Sequence, residues 1–361
     1  MRSKLGQAVI TSAILAIMIA IWYVSEAVDE TKESDEVLKL VEAKIDDAYG
    51  GADAIVTVCS DDGYFETAAN LNQIFGEREL RCTIAAPVWN VNTRIDDWKN
   101  LLAQGNVELV SHSMNHIPMG ADCEFADDME RLEYEIVGAD TFYEDNFGSE
   151  QIVFVCPENE MCENGFKVLY DNDFWAVRGG ERGFNNLSPA EGTNVGDWFN
   201  LRVRGVQDKI PVTQKNNWVN TAIHQKKWLI EMWHNVLPED DGNYQTITVA
   251  DACLHLDYIR SKSDDNLIWV ATFDEAVKYI REKQNCKVKA YIKDDYLIVE
   301  ATLDNEKMKF DVFNQPLSII VKLPDKYKVE ENLNIIGLDK NIAHINVLPG
   351  RTTKIKLSFG K

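Results

Sequence analysis

The chain has 361 residues, 45% of them hydrophobic, which suits one large domain plus a small one. Its formal net charge at pH 7 is −22, from 59 acidic residues against 37 lysines and arginines. A chain this acidic repels nucleic-acid phosphates and anionic lipid head groups, so no nucleic-acid partner is expected. The acidity suits an enzyme acting on neutral or cationic substrates, and colloidal solubility explains it equally well.

The N-terminus begins with two basic residues and continues into the uncharged run AVITSAILAIMIAIWYV at 8–24. This run is short for a membrane span and slightly long for the core of a signal peptide. Residues 1–27 are therefore predicted to be a signal peptide or an N-terminal membrane anchor. Basic residues before the run and acids after it put the bulk of the chain outside the cell. We expect an exported protein, either secreted or anchored on the outer face of the cytoplasmic membrane, touching the membrane if uncleaved.

Residues 28–50 are acidic, with an imperfect apolar stripe at helical spacing that ends at a pair of glycines. Such a pattern indicates an amphipathic helix followed by a glycine stop. The segment is predicted to be a linker or stalk helix.

Short apolar runs alternate with helix-like segments between 51 and 286. Strands are predicted at 54–60, 81–88, 107–111, 152–157, 174–180, within 220–236, and at 267–273. Helices are predicted at 63–77, 94–106, 128–148, 163–173, 248–264 and 272–285. Alternating strands and helices favour parallel strands with crossover helices, and so an α/β barrel or a doubly wound sheet. Chemistry in such folds gathers at the carboxyl ends of the strands.

The pattern changes after Cys286. Residues 287–361 show alternating polarity, acidic turns and no long helical period. This pattern predicts a small all-β domain, sandwich-like by its strand spacing. It either binds glycan or caps the larger domain.

The seven cysteines include no CxxC pair. An odd count in an exported chain indicates a free thiol or a non-oxidising habitat. Cys156 and Cys162 are near enough in sequence to pair, and the sequence leaves that open.

Two adjacent carboxylates, Asp61 and Asp62, follow the first predicted strand. Like charges at such a spacing repel, which a divalent cation relieves if one aspartate binds it and the other serves as a base. An ordinary turn with a helix N-cap is the alternative, because Asp-Asp-Gly is common turn chemistry.

Two histidines, His112 and His116, follow the strand at 107–111 in NVELVSHSMNHIPMG. Together with one aspartate they form a two-histidine, one-carboxylate set, which suits zinc or another first-row divalent ion with open positions. A pair of structural histidines is the alternative. A metalloprotease motif is rejected, since no glutamate follows His112 directly.

A third histidine, His234, ends the late apolar segment WLIEMWHNVLP. A histidine in that position can act as a general acid toward a leaving group, and a packed core histidine is the alternative. The other histidines, His224, His255 and His344, are interpreted as structural or surface groups.

The order Asp-Asp-Gly, then HSMNH, then a late strand-end histidine resembles the polysaccharide deacetylases with a NodB-homology domain, carbohydrate esterase family four, over roughly 53–285. CSDDG stands where the family has TFDDG, and HSMNH fits its second motif. The resemblance implies a distorted (β/α) barrel of about seven strands. It also implies Asp61 as catalytic base, His234 as catalytic acid, and Asp62, His112 and His116 as metal ligands, most often for Zn²⁺, with Co²⁺ or another first-row ion as alternatives.

The third family motif, RxPYG, is altered to VCPENE around Pro157. Its arginine is missing, and Arg178 at the end of the next strand is the candidate to replace it beside the catalytic aspartate. Asp197 in GDWFN is the weak candidate for the fourth motif. Trp198 and Trp233 are candidates for stacking on sugar rings, with core packing as the alternative.

The resemblance implies hydrolysis of N- or O-acetyl groups from an extracellular or cell-envelope glycan. Both reactions use the same centre, so the residues leave amide and ester substrates open. A catalytically impaired carbohydrate-binding protein on the same barrel is the other reading, because the third motif is altered.

Overall fold

The structure is a computed structural model and describes residues 39–206, 210–240, 242–330 and 332–359. The apolar run at 8–24 and the first part of the predicted linker, 28–38, lie outside these ranges. Within them, no helix is both long and apolar enough to cross a membrane.

The described residues form two regions, a parallel barrel and an antiparallel β domain. The strands in chain order are β1 (Lys39–Leu40), β2 (Glu42–Ile45), β3 (Ala54–Ser60), β4 (Cys82–Ala86), β5 (Val107–Ser111), β6 (Val153–Val155), β7 (Ala176–Arg182), β8 (Asn185–Asn186), β9 (Leu201–Gly205), β10 (Lys227–Trp233), β11 (Val236–Leu237), β12 (Ile247–Thr248), β13 (Ile268–Val270), β14 (Cys286–Lys293), β15 (Tyr296–Leu303), β16 (Leu317–Lys322), β17 (Tyr327–Val329), β18 (Ile335–Asp339), β19 (Ile342–Val347) and β20 (Thr352–Phe359). The α-helices are α1 (Phe65–Gly76), α2 (Val88–Val91), α3 (Ile95–Leu102), α4 (Met129–Phe147), α5 (Glu163–Asp171), α6 (Val212–Gln225), α7 (Val249–Asp264) and α8 (Phe273–Asn285).

Seven parallel strands close the barrel in the order β3, β4, β5, β6, β7, β9 and β10, and β10 pairs back onto β3. The closing ladder is in register from Trp228 opposite Ile55 to Trp233 opposite Ser60. The predicted (β/α) barrel of about seven strands is therefore confirmed. Because all seven strands are parallel, their carboxyl ends meet at one end of the barrel, where a site can be assembled.

The strands of the ring differ from the predicted set in one member. β9 was not predicted, and it takes the place of the predicted strand at 267–273. That segment is short as a strand, and β13 pairs only with the first half of β3, whose last residues pair with β4.

The segment 220–236, predicted as contributing a strand, is helix up to Gln225 and strand only from Lys227. Lys226 separates the two with a φ of 51°, a left-handed helix end. α6 buries Lys215, Val219 and Ala222, of which only two are apolar, so its apolar signal is weak beside that of β10.

The C-terminal region is an all-β domain of two antiparallel sheets, as predicted. One sheet has the order β1-β14-β15-β20-β17 and the other β18-β19-β16-β2. Apolar residues from both sheets, among them Leu297, Ile319 and Ile345, are fully buried in one cluster. The alternation of buried and exposed residues along β15 and β20 fits sheets that each have one face on a core.

The predicted linker helix at 28–50 is wrong where the structure describes it. Residues 39–45 form β1 and β2, which pair with β14 and β16 of the C-terminal domain. Charged and apolar residues alternate in EAKI, a period that suits a strand with one face on the sandwich core. Partner strands more than 200 residues away decide the matter, because a two- or four-residue strand has no stability alone.

The barrel and the β domain touch through α8. This helix runs directly into β14, and its Tyr279 hydroxyl donates to the carbonyl oxygen of Asp46 at 3.0 Å. The buried Glu282 carboxylate accepts from the backbone N–H of Gln315 at 3.0 Å. The β domain thus packs against a helix of the barrel.

Candidate metal and catalytic site

Three side chains meet at the carboxyl end of the barrel. Asp62 follows β3, and His112 and His116 follow β5. One ligand atom from each lies within 4.8 Å of the others. Oδ1 of Asp62 is 3.3 Å from Nε2 of His116 and 3.9 Å from Nε2 of His112. The second distance is too long for a hydrogen bond, and both approximate the ~3.4 Å between ligand atoms around a tetrahedral zinc.

His112 is held with one nitrogen free. Its ring is almost fully buried, and Nδ1 lies 2.7 Å from the carbonyl oxygen of Val155. A proton on Nδ1 satisfies that carbonyl and leaves a lone pair on Nε2, which is the tautomer a metal ligand needs. Burial, and then the neighbouring His116, lower the pKa of His112 to about 3. The imidazole is therefore neutral at physiological pH.

The loop that carries His116 is bent by unusual backbone angles. Ser113 and His116 have φ values of 70° and 54°, and Asp62 on the facing turn has 72°. Non-glycine residues in this region carry strain that the surrounding structure must hold, and such residues gather at functional sites. The Ser113 hydroxyl accepts from the backbone N–H of His116 at 2.8 Å and fixes the bend.

Gly63 completes the turn after the two aspartates. Its φ is 62°, and a Cβ atom built on it would lie 2.3 Å from the Cβ of Ala86 at the end of β4. Only glycine allows the turn after β3 to approach β4 this closely. The Asn90 amide also donates to the carbonyl oxygen of Asp62 at 2.7 Å.

Glu135 on α4 supports the histidine loop. It is fully buried, and its two oxygens accept from the backbone N–H and the side-chain amide of Asn115, each at 2.8 Å. Arg131 pairs with the same carboxylate at 3.0 Å. Glu135 was not predicted as a site residue from the sequence. Its signal is a charged residue within the buried stripe of α4, next to Leu132 and Ile136.

Asp61 lies in the barrel interior and is held by Arg178. The guanidinium Nη2 is 2.5 Å from Oδ2 of Asp61, and both side chains are buried. β3 and β7 are not neighbours in the ring, so this contact crosses the interior. The structure thus places Arg178, from the strand after the altered third motif, against the aspartate. Among the described residues, the one side-chain donor to the second carboxylate oxygen, Oδ1, is the Cys59 thiol, at 3.8 Å.

The altered third motif still contributes to the site through Arg178. The guanidinium also donates to the side-chain oxygen of Asn159 at 2.7 Å and approaches the Met232 sulfur at 3.3 Å. Glu158 and Asn159 have φ values of 52° and 69°, so the turn after β6 is bent toward the arginine. Asn159 was not predicted as a site residue, because no local sequence pattern indicates its contact with Arg178.

His234 lies beside Asp61 at the barrel mouth. The backbone N–H of Asp61 donates to the carbonyl oxygen of Trp233 at 2.9 Å, and the Ser60 hydroxyl donates to that of His234 at 2.8 Å. The imidazole is 7% exposed, and its buried Nδ1 has no hydrogen-bond partner. Tyr244 packs against the ring edge-on at 5.0 Å between centroids.

Three other predicted residues have different roles. Asp197 accepts from the backbone N–H and the side chain of Asn194, both at 3.1 Å, and so closes a turn. Trp198 is fully buried against Trp228 and the Arg281 guanidinium, and its indole donates to Gln284 at 3.1 Å. The prediction that Asp197 supports the catalytic residues as the fourth motif and the sugar-stacking prediction for Trp198 are therefore wrong.

The sugar-stacking prediction for Trp233 is also wrong. Its side chain is fully buried among the residues that pack between the sheet and its helices, and its indole donates to Glu231 at 3.0 Å. Strand alternation explains the error, because Trp233 points to the opposite face of β10 from Met232, whose sulfur reaches Arg178 in the interior. Aromatic character alone does not reveal the face.

The three ligand side chains fit a divalent cation. They offer two imidazole nitrogens and one carboxylate, a set that leaves open positions for water or substrate. The carbonyl oxygen of Val155 contacts Nδ1 of His112 and so orients the imidazole with Nε2 toward the cation site. Asp61 is not a member of this group, so the neighbouring carboxylate is free for another role.

No family model and no curated protein matches the chain. Among solved structures, a candidate polysaccharide deacetylase from Mycobacterium smegmatis matches with a TM-score of 0.52 at 14% identity, over 68% of this chain and 96% of that one.

Two further structures match with lower TM-scores. The Xyl-CE4 domain of a multidomain xylanase from the hindgut metagenome of Trinervitermes trinervoides gives 0.42 at 16% identity, over 62% and 89% of the two chains. A family four pseudoenzyme from Bacillus anthracis gives 0.43 at 11% identity, over 62% and 65%. The first comparison, with the barrel topology, confirms the predicted NodB-like deacetylase fold.

Proposed function

We propose that this protein is a metal-dependent hydrolase that removes acetyl groups from a glycan. The observation that carries the proposal is the pairing of a three-ligand cluster with a separate, arginine-held carboxylate, Asp61, on the adjacent residue. A structural metal site needs no such neighbour. Hydrolysis does, because a water molecule must lose a proton as it attacks.

Asp62, His112 and His116 would hold the cation. When bound, a divalent ion at this position supplies Lewis-acid polarisation of the acetyl carbonyl and makes a nearby water more acidic. Zn²⁺ suits the ligand set, and Co²⁺ or another first-row ion is compatible with it.

Asp61 acts as the general base. Arg178 occupies Oδ2 and keeps the carboxylate in one orientation, while Oδ1 is left to accept the proton of the attacking water. The neutral Cys59 thiol does not compete as a base, because burial, and then the charge of Asp61, raise its pKa well above the ordinary value.

His234 acts as the general acid. It donates a proton to the departing sugar oxygen or nitrogen as the bond to the acetyl carbon breaks, so water and the acetylated glycan give acetate and the free hydroxyl or amine. The buried Nδ1 without a partner distinguishes this imidazole from one held for structure alone.

Export is part of the proposal. The charge-flanked apolar run at 8–24 supports delivery across the cytoplasmic membrane, with the domain anchored outside or released. An extracellular or cell-envelope glycan is then the accessible substrate.

The test is acetate release by the purified full-length chain from acetylated xylan and from N-acetylglucosamine oligomers. It is run as purified, after chelation, and with Zn²⁺ or Co²⁺ restored. We expect metal-dependent release that falls about 10³-fold in Asp61→Asn. Asp197→Asn is the matched control, because that carboxylate only closes a turn. The preferred substrate decides between ester and amide.

A glycan-binding protein without turnover is the second candidate. The altered third motif, VCPENE, favours it, because the arginine of the family pattern is missing there. Glycan binding by calorimetry with no acetate release under any metal condition would establish this candidate and overturn the hydrolase.

A further inference from the structure

The proposed function leaves the substrate-binding residues unassigned, since both predicted tryptophans are buried in the core. Three other aromatic side chains are exposed near the metal and catalytic residues. Tyr64 is 45% exposed, Trp89 51% and Tyr244 65%. Large exposed aromatic side chains leave apolar surface in water, and a group of them around one site indicates a ligand with apolar faces.

Tyr64 stands two residues after Asp62 at the start of α1. The rigid turn through Gly63 ties the position of Tyr64 to that of Asp62.

Trp89 belongs to α2, which follows β4. Its backbone N–H donates to the carbonyl oxygen of Met114, inside the loop between the two histidine ligands, at 3.1 Å. The next residue, Asn90, donates to the carbonyl oxygen of Asp62. The backbone that carries Trp89 is therefore anchored to two segments that carry metal ligands, while about half of the residue stays exposed.

Tyr244 lies on the side of the proposed acid. Its ring meets the His234 imidazole edge-on, with an interplanar angle of 87°. The Asn235 amide donates to the carbonyl oxygen of Tyr244 at 2.8 Å and holds the loop in place. The three aromatic residues thus come from three different loops, after β4, after β10 and directly after the aspartate pair.

The charge nearby limits the kind of ligand. The segment 117–128, which follows His116, contains Asp122, Glu124, Asp127 and Asp128 and no lysine or arginine. Its Met119 carbonyl oxygen accepts from the backbone N–H of Cys162 ahead of α5, so the segment is tied to the barrel. Carboxylates in the segment that follows a ligand residue, in a chain with a net charge of −22, disfavour anionic sugars and tolerate neutral or amine-bearing ones.

We propose that Tyr64, Trp89 and Tyr244 form a sugar-binding rim that holds successive rings of a neutral or amine-bearing glycan chain across the site. The inference rests on the proposed deacetylase function and specifies its substrate class. A sugar ring presents C–H faces to an aromatic side chain, and three separated aromatic rings need a chain of several units. A short acetylated molecule reaches at most one of them.

The test compares kcat/KM on an N-acetylglucosamine pentamer with kcat/KM on 4-nitrophenyl acetate, in the full-length, metal-loaded protein. We expect Tyr64→Ala, Trp89→Ala and Tyr244→Ala each to lower the pentamer-to-ester ratio about tenfold, mainly through KM. Trp89→Phe should keep most of the ratio. An acetylated chain that contains uronic acids should be a poorer substrate than the neutral pentamer.

Tyr170→Ala is the matched control. Tyr170 is 63% exposed and lines a cavity of about 750 Å³ with Trp175 and Phe199. That cavity lies toward the opposite end of the barrel, because Trp175 precedes β7. We expect no change in the ratio. A loss in Tyr170→Ala without loss in the rim variants would place glycan binding at that cavity and overturn the proposal.

Calorimetry with the pentamer on Asp61→Asn separates the two proposals. Acetate release is measured in the protein without substitutions, and pentamer binding in Asp61→Asn with each rim substitution added. If no acetate is released but the rim substitutions still weaken pentamer binding, the hydrolase proposal is overturned and the rim proposal is supported. Equal loss on pentamer and small ester, or pentamer binding unaffected in all three rim variants, would overturn the rim.

Discussion

Two regions of the barrel bring a histidine and a carboxylate together. They differ in whether the histidine nitrogens and carboxylate oxygens have hydrogen-bond partners. At the barrel mouth, Oδ1 of Asp62 lies 3.3 Å from Nε2 of His116 but 3.9 Å from Nε2 of His112, which is too long for a hydrogen bond. On the outer face of β10, Nε2 of His255 lies 3.1 Å from both oxygens of Glu231, and Nδ1 lies 2.7 Å from Asn216.

Burial does not distinguish the two clusters, because His112 is nearly as buried as His255. Partners do. Both nitrogens of His255 have protein partners, and Trp233 adds a donor to the Glu231 carboxylate. His112 has one nitrogen on a carbonyl and one aimed at the ligand cluster. A buried pair whose hydrogen bonds are all made stabilises the fold. Ligand atoms without such partners, beside a strained turn, are available to bind a cation.

The largest contrast should come from removing one histidine from each cluster. His112→Ala should abolish binding of one metal equivalent and lower acetate release by about 10³-fold or more, with the fold retained. His255→Ala should keep metal binding but destabilise the protein by about 3 kcal/mol, because Glu231 is left as an unpaired buried charge. Metal analysis and thermal unfolding measure both. Loss of metal in His255→Ala alone would reverse our assignment.

The arginine that holds Asp61 should affect turnover rather than metal binding. Arg178→Lys keeps a positive charge but loses the planar fork, so we expect kcat to fall about 100-fold with metal stoichiometry unchanged. Arg281→Lys is the matched control, because Arg281 is equally buried but pairs with Glu191 and stacks on Trp198. Reduced metal content in Arg178→Lys would show that Asp61 is a ligand instead.

The loop support at Glu135 should have a smaller effect, on metal affinity. Glu135→Gln keeps one acceptor oxygen and puts an amide where the second Asn115 donor points. We expect metal affinity to fall about tenfold, measured by competition with a chelating dye. Glu108→Gln is the control, since that half-buried carboxylate caps α8 through the backbone N–H of Asp274. An unchanged affinity in Glu135→Gln would mean that the loop holds its shape without the carboxylate.

Acidity should weaken metal binding through His116. The hydrogen bond to Asp62 raises the pKa of His116, whereas His112 titrates near pH 3. The cation must displace one proton, so its apparent affinity should fall about tenfold per pH unit below the His116 pKa and level off above it. In metal-free protein the sign is opposite, and stability from the His116–Asp62 contact is present below the unfolded pKa and lost as pH rises through the folded one. A slope of two protons between pH 5 and 7 would contradict this.

The smallest effect should belong to Asp197. Asp197→Asn removes charge from an exposed turn, so acetate release should change less than about twofold and unfolding free energy by less than about 0.5 kcal/mol. Steady-state rates and thermal unfolding check both. A tenfold loss of kcat would show that Asp197 supports the catalytic residues after all.

Some of the site was readable from the sequence because it is local. Asp61 and Asp62 are adjacent, and His112 and His116 are four residues apart. The carboxyl ends of successive parallel strands lie at the same end of a barrel, which brings the two pairs together. Their order and spacing carried the family resemblance, and that resemblance implied both the ligand set and the barrel. The stacking residues were predicted wrongly, because the face on which Trp198 and Trp233 lie depends on which helices and strands cover them.

The sequence by itself determined the alternation of strands and helices in the barrel, the short ligand motifs, and the change to an all-β pattern after Cys286. Each of these features has a period or spacing that lies within a few residues. Only the tertiary structure decided that 39–45 pair with strands of the C-terminal domain, that Arg178 crosses the interior to Asp61, and that Glu135 supports the histidine loop. These contacts join residues far apart in the chain. Their free energy depends on burial and on partners that exist only once the barrel has closed.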